Sequence, residues 1–168
     1  MLIPQIRKTW APRGQTPIHK HRYSHEKISA ISALTISPAR KRPGLYFHLY
    51  INNIGQDEVC SFVRHLLRHL RGPVIIVWDN SRTHKGSAVR SLCHRFSRLH
   101  LEAFPPYAPE LNPDEGVWQH LKRLLSNGRP DSLDELVDVL ITEMECLTHS
   151  PALLKAFVQH SSLPFFLH

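Results

Sequence analysis

The sequence predicts an α/β domain with the element order β-β-α-β-α-β-α-α. Three observations lead there. Val74 to Trp78, VIIVW, is a short β-branched run that ends on Asp79, the pattern of a strand buried on both faces. Three longer segments carry apolar residues on one side at helical spacing: Val59, Phe62, Val63, Leu66, Leu67 and Leu70; then Val117, Trp118, Leu121, Leu124 and Leu125; then Leu133, Leu136, Val137, Leu140, Ile141 and Met144. Finally, 168 residues, of which 42% are apolar, make one domain (1–168) with a single core.

Taken in order, residues 1–26 are basic and irregular, with Trp10, Pro12, Gly14 and Pro17 marking a loop or short hairpin. His19, His21 and His25 have no partner ligand at a metal-binding spacing and read as solvated loop residues. Lys27 to Ser37 reads as a strand with both faces mostly covered. Pro38 to Pro43 is a basic turn carrying Arg40, Lys41 and Arg42, and aromatic-rich Leu45 to Ile51 is the next strand. Gly55 to Leu70 is a helix whose outer face carries Arg64, His65, Arg68 and His69, read as solvated; Gly72-Pro73 ends it. After Asp79 follow a loop, a helix over about 87–96 and a short strand, Leu99 to Phe104. Phe104 to Pro109 is a Pro-rich turn. Asn112 then suits an N-cap, Pro113 the first helical position and Glu115 the third. Asn127-Gly128 stops that helix. Ser132, with Glu135 three residues on, opens the C-terminal helical region, 132–168; the acidic face of Asp134, Asp138, Glu143 and Glu145 reads as solvated.

Composition narrows the function classes. The formal net charge is +7 with thirteen His left out, and the pI is near 9.7, which suits a polyanionic partner. Cys60, Cys93 and Cys146 are far apart and form no CxxC, so neither a disulfide framework nor a zinc site follows. A reducing cytoplasm is the expected setting, and no apolar run is long enough to span a membrane.

The chemistry is expected from two carboxylates. Asp79 stands at the carboxyl end of a strand, where open α/β sheets place their ligands. Glu115 stands in the first turn of a helix. The 35 residues between them, 80 to 114, suffice for a helix and a strand that return the chain beside the first strand. Carboxylate oxygens so placed suit Mg²⁺, and two such ions can stabilise both the attacking and the leaving oxygen of a phosphodiester displacement. Singly, Asp79-Asn80-Ser81 is also an ordinary turn and Glu115 an ordinary capping residue. Asp114 is the neighbour of Glu115, and helix geometry alone does not say which of them faces a metal. Basic Arg82, Lys85, Arg90, Arg95 and Arg98 follow Asp79 closely, and His84 lies five residues past it. Lys122 and Arg123 lie two turns beyond Glu115. Arg82, Lys85, Arg90, Arg95 and Arg98 are the first candidate phosphate contacts, followed by His84, Lys122 and Arg123; for His84 an ordinary loop role is the alternative, and for Arg90 and Arg98 plain solvation.

WDNSRTHKG followed by PPYAPELNPDEGVW resembles the catalytic core of the DDE transposases, in the bacterial insertion-sequence branch of the mariner-like superfamily, and WAPRGQTP at 10–17 resembles the same branch. The likeness runs from about residue 2 to 140. It implies a ribonuclease H-like fold, a mixed sheet flanked by helices. It implies an Asp, Asp, Glu triad in which Asp79 matches the second acid and Glu115, in preference to Asp114, the third. It also implies a two-ion Mg²⁺ or Mn²⁺ site in the complete enzyme, transposon ends and target DNA as partners, and a nucleoid setting in a bacterial cytoplasm.

One departure matters. The first Asp of the resembling triad belongs on a central strand ahead of WAPRGQTP, and the earliest acids here are Glu26 and Asp57. The helix-turn-helix region that such enzymes use to recognise their ends does not appear either. The expectation is therefore the downstream part of a split, frameshifted or truncated transposase. Such a chain is inactive in strand cleavage and strand transfer by itself, and associates with itself or with the upstream transposase portion. The alternative is a non-catalytic remnant that binds DNA or full-length transposase and inhibits it; a nuclease on the same fold is a weaker third reading.

Overall fold

The computed structural model describes residues 13, 28–38, 42–84, 86–126 and 132–163. Its elements are β1 Ser29–Ser37, β2 Arg42–Tyr50, α1 Gln56–His69, β3 Val74–Trp78, α2 Ser87–Arg95, β4 Leu99–Ala103, α3 Asp114–Leu124, α4 Leu133–Thr148 and α5 Pro151–His160. Their order is the one expected through α4, and α5 adds a further helix within the C-terminal helical region. The loop at 1–26 with its histidines, Arg40, Lys41, Lys85 and the Asn127-Gly128 stop lie outside the described residues. The basic turn is shorter than expected: Arg42 and Pro43 already belong to β2, with Ser37 opposite Arg42.

β1 and β2 form an antiparallel hairpin that packs on both faces. Leu34 on one strand, and Leu45, Phe47 and Leu49 on the other, join a core with Val117 and Leu121 of α3, Leu140, Met144 and Leu147 of α4 and Leu154 of α5. Strand alternation turns the remaining side chains the other way. There Ile31 reaches a second core of Val59, Cys60, Val63 and Leu67 on α1, Val89 and Leu92 on α2, and Val74 and Leu99. From β2, His48 meets Phe62 and His65 of α1 edge-on, at ring-centroid distances of 5.3 and 4.7 Å. The hairpin is thus a middle layer between α1 and the α3–α4–α5 group. α3 and α5 approach so closely that a Cβ on Gly116 would stand 2.9 Å from the Phe157 ring.

β3 and β4 pair in parallel, Val74 with Leu99 through Trp78 with Ala103. Among the described residues the strands form two separate pairs, not one continuous sheet. This overturns one sequence expectation. β3 is covered on one face only: Val74, Ile76 and Trp78 pack on the second core, but Ile75 is 66% exposed and Val77 42%. α1 and α2 both lie on the packed side, and no described element covers the other. Cys60, Cys93 and Cys146 are free. Among the described residues, no helix is long and apolar enough to cross a membrane.

Burial this uneven has a measurable consequence. Leu121, 1% exposed, should cost about 2–5 kcal/mol when cut to Ala. Val77→Thr, on the open face, should stay within about 0.5 kcal/mol. Chemical denaturation of both variants checks the contrast; equal losses would mean that the open face of β3 is covered in solution.

Candidate active site

The carboxyl ends of β3 and β4 lie side by side, and short bonds fix the loops that leave them. The Phe104 amide donates to the Trp78 carbonyl (2.8 Å), and the Asn80 side chain donates to the Phe104 carbonyl (2.9 Å). The turn after β3 is therefore tied to the turn that leads into α3. Asp79 lies between these bonds, with its side chain 70% exposed. Its Oδ1 accepts the Ser81 amide at 2.9 Å and lies 3.1 Å from His84 Nε2, leaving Oδ2 with no hydrogen bond or ion pair among the described residues.

His84 closes a short 3-10 turn, Arg82–His84. Its ring stacks on Trp78 at 4.4 Å between centroids and 9° between planes. Burial pushes the imidazole below its usual value, and Asp79 offsets only part of this. A neutral ring placed so donates Nε2–H to Asp79, the tautomer being inferred from that bond. Nδ1 is enclosed without a partner among the described residues. His84 thus orients Asp79 as a neutral donor. The loop also packs against the start of α1: a Cβ on Gly86 would fall 1.6 Å from Gln56 Oε1.

Glu115 is placed by the entry to α3. Asn112 Oδ1 accepts the Asp114 amide at 3.1 Å, and Pro113 just ahead of α3 already has helical dihedrals, φ −64° and ψ −21°. Asp114 turns inward. Its Oδ2 accepts Ser32 Oγ from β1 and Trp118 Nε1 one turn on, and its Oδ1 is enclosed without a partner among the described residues. Burial raises this carboxyl to about 6, against the pull of those two donors. Glu115, half-buried, forms no hydrogen bond or ion pair among the described residues, so it does not reach back to Asn112 as a capping residue would. The turn before α3 carries strain: Tyr107 has φ 59° and is fully exposed.

A family model described as DDE superfamily endonuclease matches residues 2–137. The chain belongs to this endonuclease superfamily. It is 25% identical over 126 residues to the Tc1 transposase of Caenorhabditis elegans, an alignment that covers 74% of this chain and 45% of that protein. Among solved structures, the Mos1 mariner paired-end complex with Mn is 17% identical with a TM-score of 0.61, covering 98% of this chain and 54% of that one. The Mos1 catalytic domain alone is also 17% identical, with a TM-score of 0.52 and 84% of each chain covered. The chain thus spans about half the length of the longer relatives it matches. These likenesses establish the ribonuclease H-like fold of a transposase catalytic domain.

The structure brings Asp79 and His84 together. It sets Asp79 and Glu115 at the two ends of the linked turns, with no bond between them. Among the described residues no three His, Cys, Asp or Glu side chains already form a metal-binding group. Lys122 is half-buried and Arg123 exposed in the last turn of α3, about 10 Å along the axis from Glu115 by helical rise. Arg82 lies in the 3-10 turn. One phosphate candidate is corrected. The Arg98 guanidinium donates to the carbonyls of Leu67, Leu70 and Gly72, so it closes the carboxyl end of α1 and is not left for phosphate or solvent. His84 too is engaged within the fold. Trp118 reads in the sequence only as part of an apolar stripe; its i, i+4 spacing to Asp114 carries the signal that such a reading misses.

Two measurements follow. Asp114 keeps its proton to about pH 6 in the folded state, whereas an ordinary Asp releases it near 4. Its contribution to stability is therefore complete at acidic pH and is lost as pH rises from about 4 through 6, a change on the order of 2–3 kcal/mol. Asp114→Asn should remove this slope, so that its thermal midpoint rises relative to the parent between pH 4.5 and pH 7 (pH values chosen to bracket that interval). A difference that does not change with pH would refute the inward placement of a raised carboxyl. Tyr107→Asn, which tolerates the left-handed backbone, should raise stability by about 0.5–1 kcal/mol; a loss would show that the ring has a packing role.

Proposed function

We propose that this chain supplies two of three catalytic carboxylates of a DNA transposase. The reaction is metal-dependent cleavage of a phosphodiester by water, followed by attack of the freed DNA 3′-hydroxyl on a second phosphodiester. The observation that carries the reading is Asp79: an exposed carboxylate at a strand's carboxyl end, held by a neutral His84 and a backbone amide, with one oxygen left open. Membership in the DDE superfamily gives that arrangement its chemistry.

The residues fit a hard cation. Asp79 Oδ2 and the Glu115 carboxylate are oxygen donors without partners among the described residues, as suits Mg²⁺ or Mn²⁺, and a related Mos1 complex contains Mn. When bound, a pair of such ions supplies charge stabilisation at the attacking and leaving oxygens. His84 keeps Asp79 oriented, and Asp114 is too deeply engaged to act as a ligand in its place. Lys122, Arg123, Arg82 and Lys85 are the proposed phosphate contacts, and the DNA in related Mos1 complexes supports DNA as the partner. The first acid of the triad has no match here: Asp57 lies exposed in the first turn of α1, and Glu26 outside the described residues. It is proposed to come from a preceding segment of the same gene or from another chain, on a strand that fits beside the open β3. WAPRGQTP supports the bacterial insertion-sequence branch, and with it a cytoplasmic, nucleoid-associated setting.

The test compares the 168-residue chain with a form extended upstream by a strand that carries an Asp, each assayed for nicking of a supercoiled donor with Mg²⁺ or Mn²⁺. The chain alone should not cut, and the extended form should. Within the extended form, Asp79→Asn and Glu115→Gln should each lose at least about a hundredfold in rate, since metal-held charge stabilisation is worth several kcal/mol. Cleavage by the unextended chain would overturn the proposal that the first acid comes from elsewhere. An extended form that binds DNA but never cuts would favour the inhibitory remnant.

A further inference from the structure

A second charged region lies at the opposite end of β3 from Asp79. α1 presents Arg64 and Arg68 one turn apart on an exposed face, with Arg71 just beyond the helix. Together with Leu67, Phe96 and Arg98, Arg64 and Arg68 line an open groove. Arg95 on α2 is exposed at its edge, with its guanidinium carbon 5.9 Å from the centroid of the Phe96 ring. Arg98 forms the floor, holding the α1 carbonyls, while its own carbonyl accepts the Val74 amide at the start of β3.

The groove holds like charges with nothing to neutralise them. Arg64, Arg68, Arg71 and Arg95 have no carboxylate partner among the described residues. The acids of α1, Asp57 and Glu58, lie in its first turn, where Glu58 already accepts the Gly55 amide. Two arginines at i and i+4 destabilise a helix, so the fold carries a small cost that a bound anion would remove. Guanidinium forks match phosphate oxygens two at a time, and the Phe96 ring helps to hold one of them in place. Of the groove's two apolar side chains, Leu67 is buried and Phe96 half-buried.

We propose that the Arg64–Arg68–Arg95 groove is a second docking surface for the phosphate backbone of duplex DNA, separate from the carboxylate end. The inference rests on the DNA-processing reading above. Five residues of β3 separate the two ends by roughly 15 Å, the span of about four to five phosphates along one strand. The groove would hold DNA beside the scissile bond, adding affinity and register without reading sequence.

The test is a fluorescence-anisotropy titration of a short labelled duplex across a salt series. It compares the parent chain with the triple variant Arg64→Gln/Arg68→Gln/Arg95→Gln and with the double variant Lys122→Gln/Arg123→Gln. Arg98 is left in place because it supports the fold. In the triple variant the slope of log affinity against log salt should fall by about two to three, near 0.9 for each phosphate that is no longer neutralised. Affinity at low salt should fall at least about tenfold, and the thermal midpoint should hold or rise. Unchanged slope and affinity in the triple variant would overturn the groove, and binding abolished only in the double variant would leave the DNA-processing reading intact. A parent chain that does not bind duplex DNA would end both. Displacement of the duplex by poly-glutamate as readily as by unlabelled duplex would overturn the DNA assignment in favour of a general polyanion surface.

Discussion

The placement of Glu115 depends on a carboxylate that does not itself face outward. Asp114 takes hydrogen bonds from Ser32 of β1 and from Trp118 one turn along α3, and so pins the start of that helix to the middle strand layer. Successive helical residues are rotated by about 100°, so fixing Asp114 inward turns Glu115 away from the same contacts. An acid so buried is expensive to ionise, and its second oxygen has no partner among the described residues. The cost is tolerated because the bonds give α3 one rotational setting. A helix held only by Val117 and Leu121 could slide or rotate within its apolar stripe; one held by two donors from different elements cannot.

Asp79 is held by related means from the other side. Trp78 belongs to β3 and packs on the second core; His84 stacks on it and donates outward to Asp79. Rigidity passes from a partly buried indole through a neutral imidazole to an exposed carboxylate. Each candidate ligand therefore neighbours a residue that is engaged internally: Asp79 follows Trp78, and Glu115 follows Asp114. In both cases the engaged residue sets the direction and its neighbour is left available. The Asn80–Phe104 bond then links the two turns, so a shift in one is transmitted to the other.

Much of this was legible in the sequence because it is local. The helical stripes, the Ser132 cap, whose oxygen accepts the Glu135 amide, and the strand ending on Asp79 all lie within a few residues of their signals. What was illegible depends on partners far away along the chain. Ser32 and Asp114 are 82 positions apart, and no pattern in KISAISALTIS marks that one serine. Arg98 reads as a phosphate candidate because charge near a site looks the same whether its guanidinium is free or is closing a helix 31 residues upstream. The VIIVW run shows the same limit. β-branched residues report a preference for strand, not whether a layer exists to cover each face, and so Ile75 and Val77 read as buried.

That uncovered face bears on what could pack against it. Ile75 and Val77 point one way from a parallel pair whose other face packs on the second core, and the hairpin of β1 and β2 touches the same second core through Ile31. Among the described residues, two strand pairs that share a core but not a hydrogen-bond ladder leave backbone donors and acceptors without strand partners along their edges. Each such group costs on the order of 1–3 kcal/mol if it is later buried without a partner, so a covering layer stabilises the fold only if it also pairs with those edges. A strand does both at once, and a helix does not. Completion by a strand would also set its carboxyl end beside the tip that bears Asp79, or its amino end, according to its direction. The stability of the fold and the composition of the site would then be decided by the same segment.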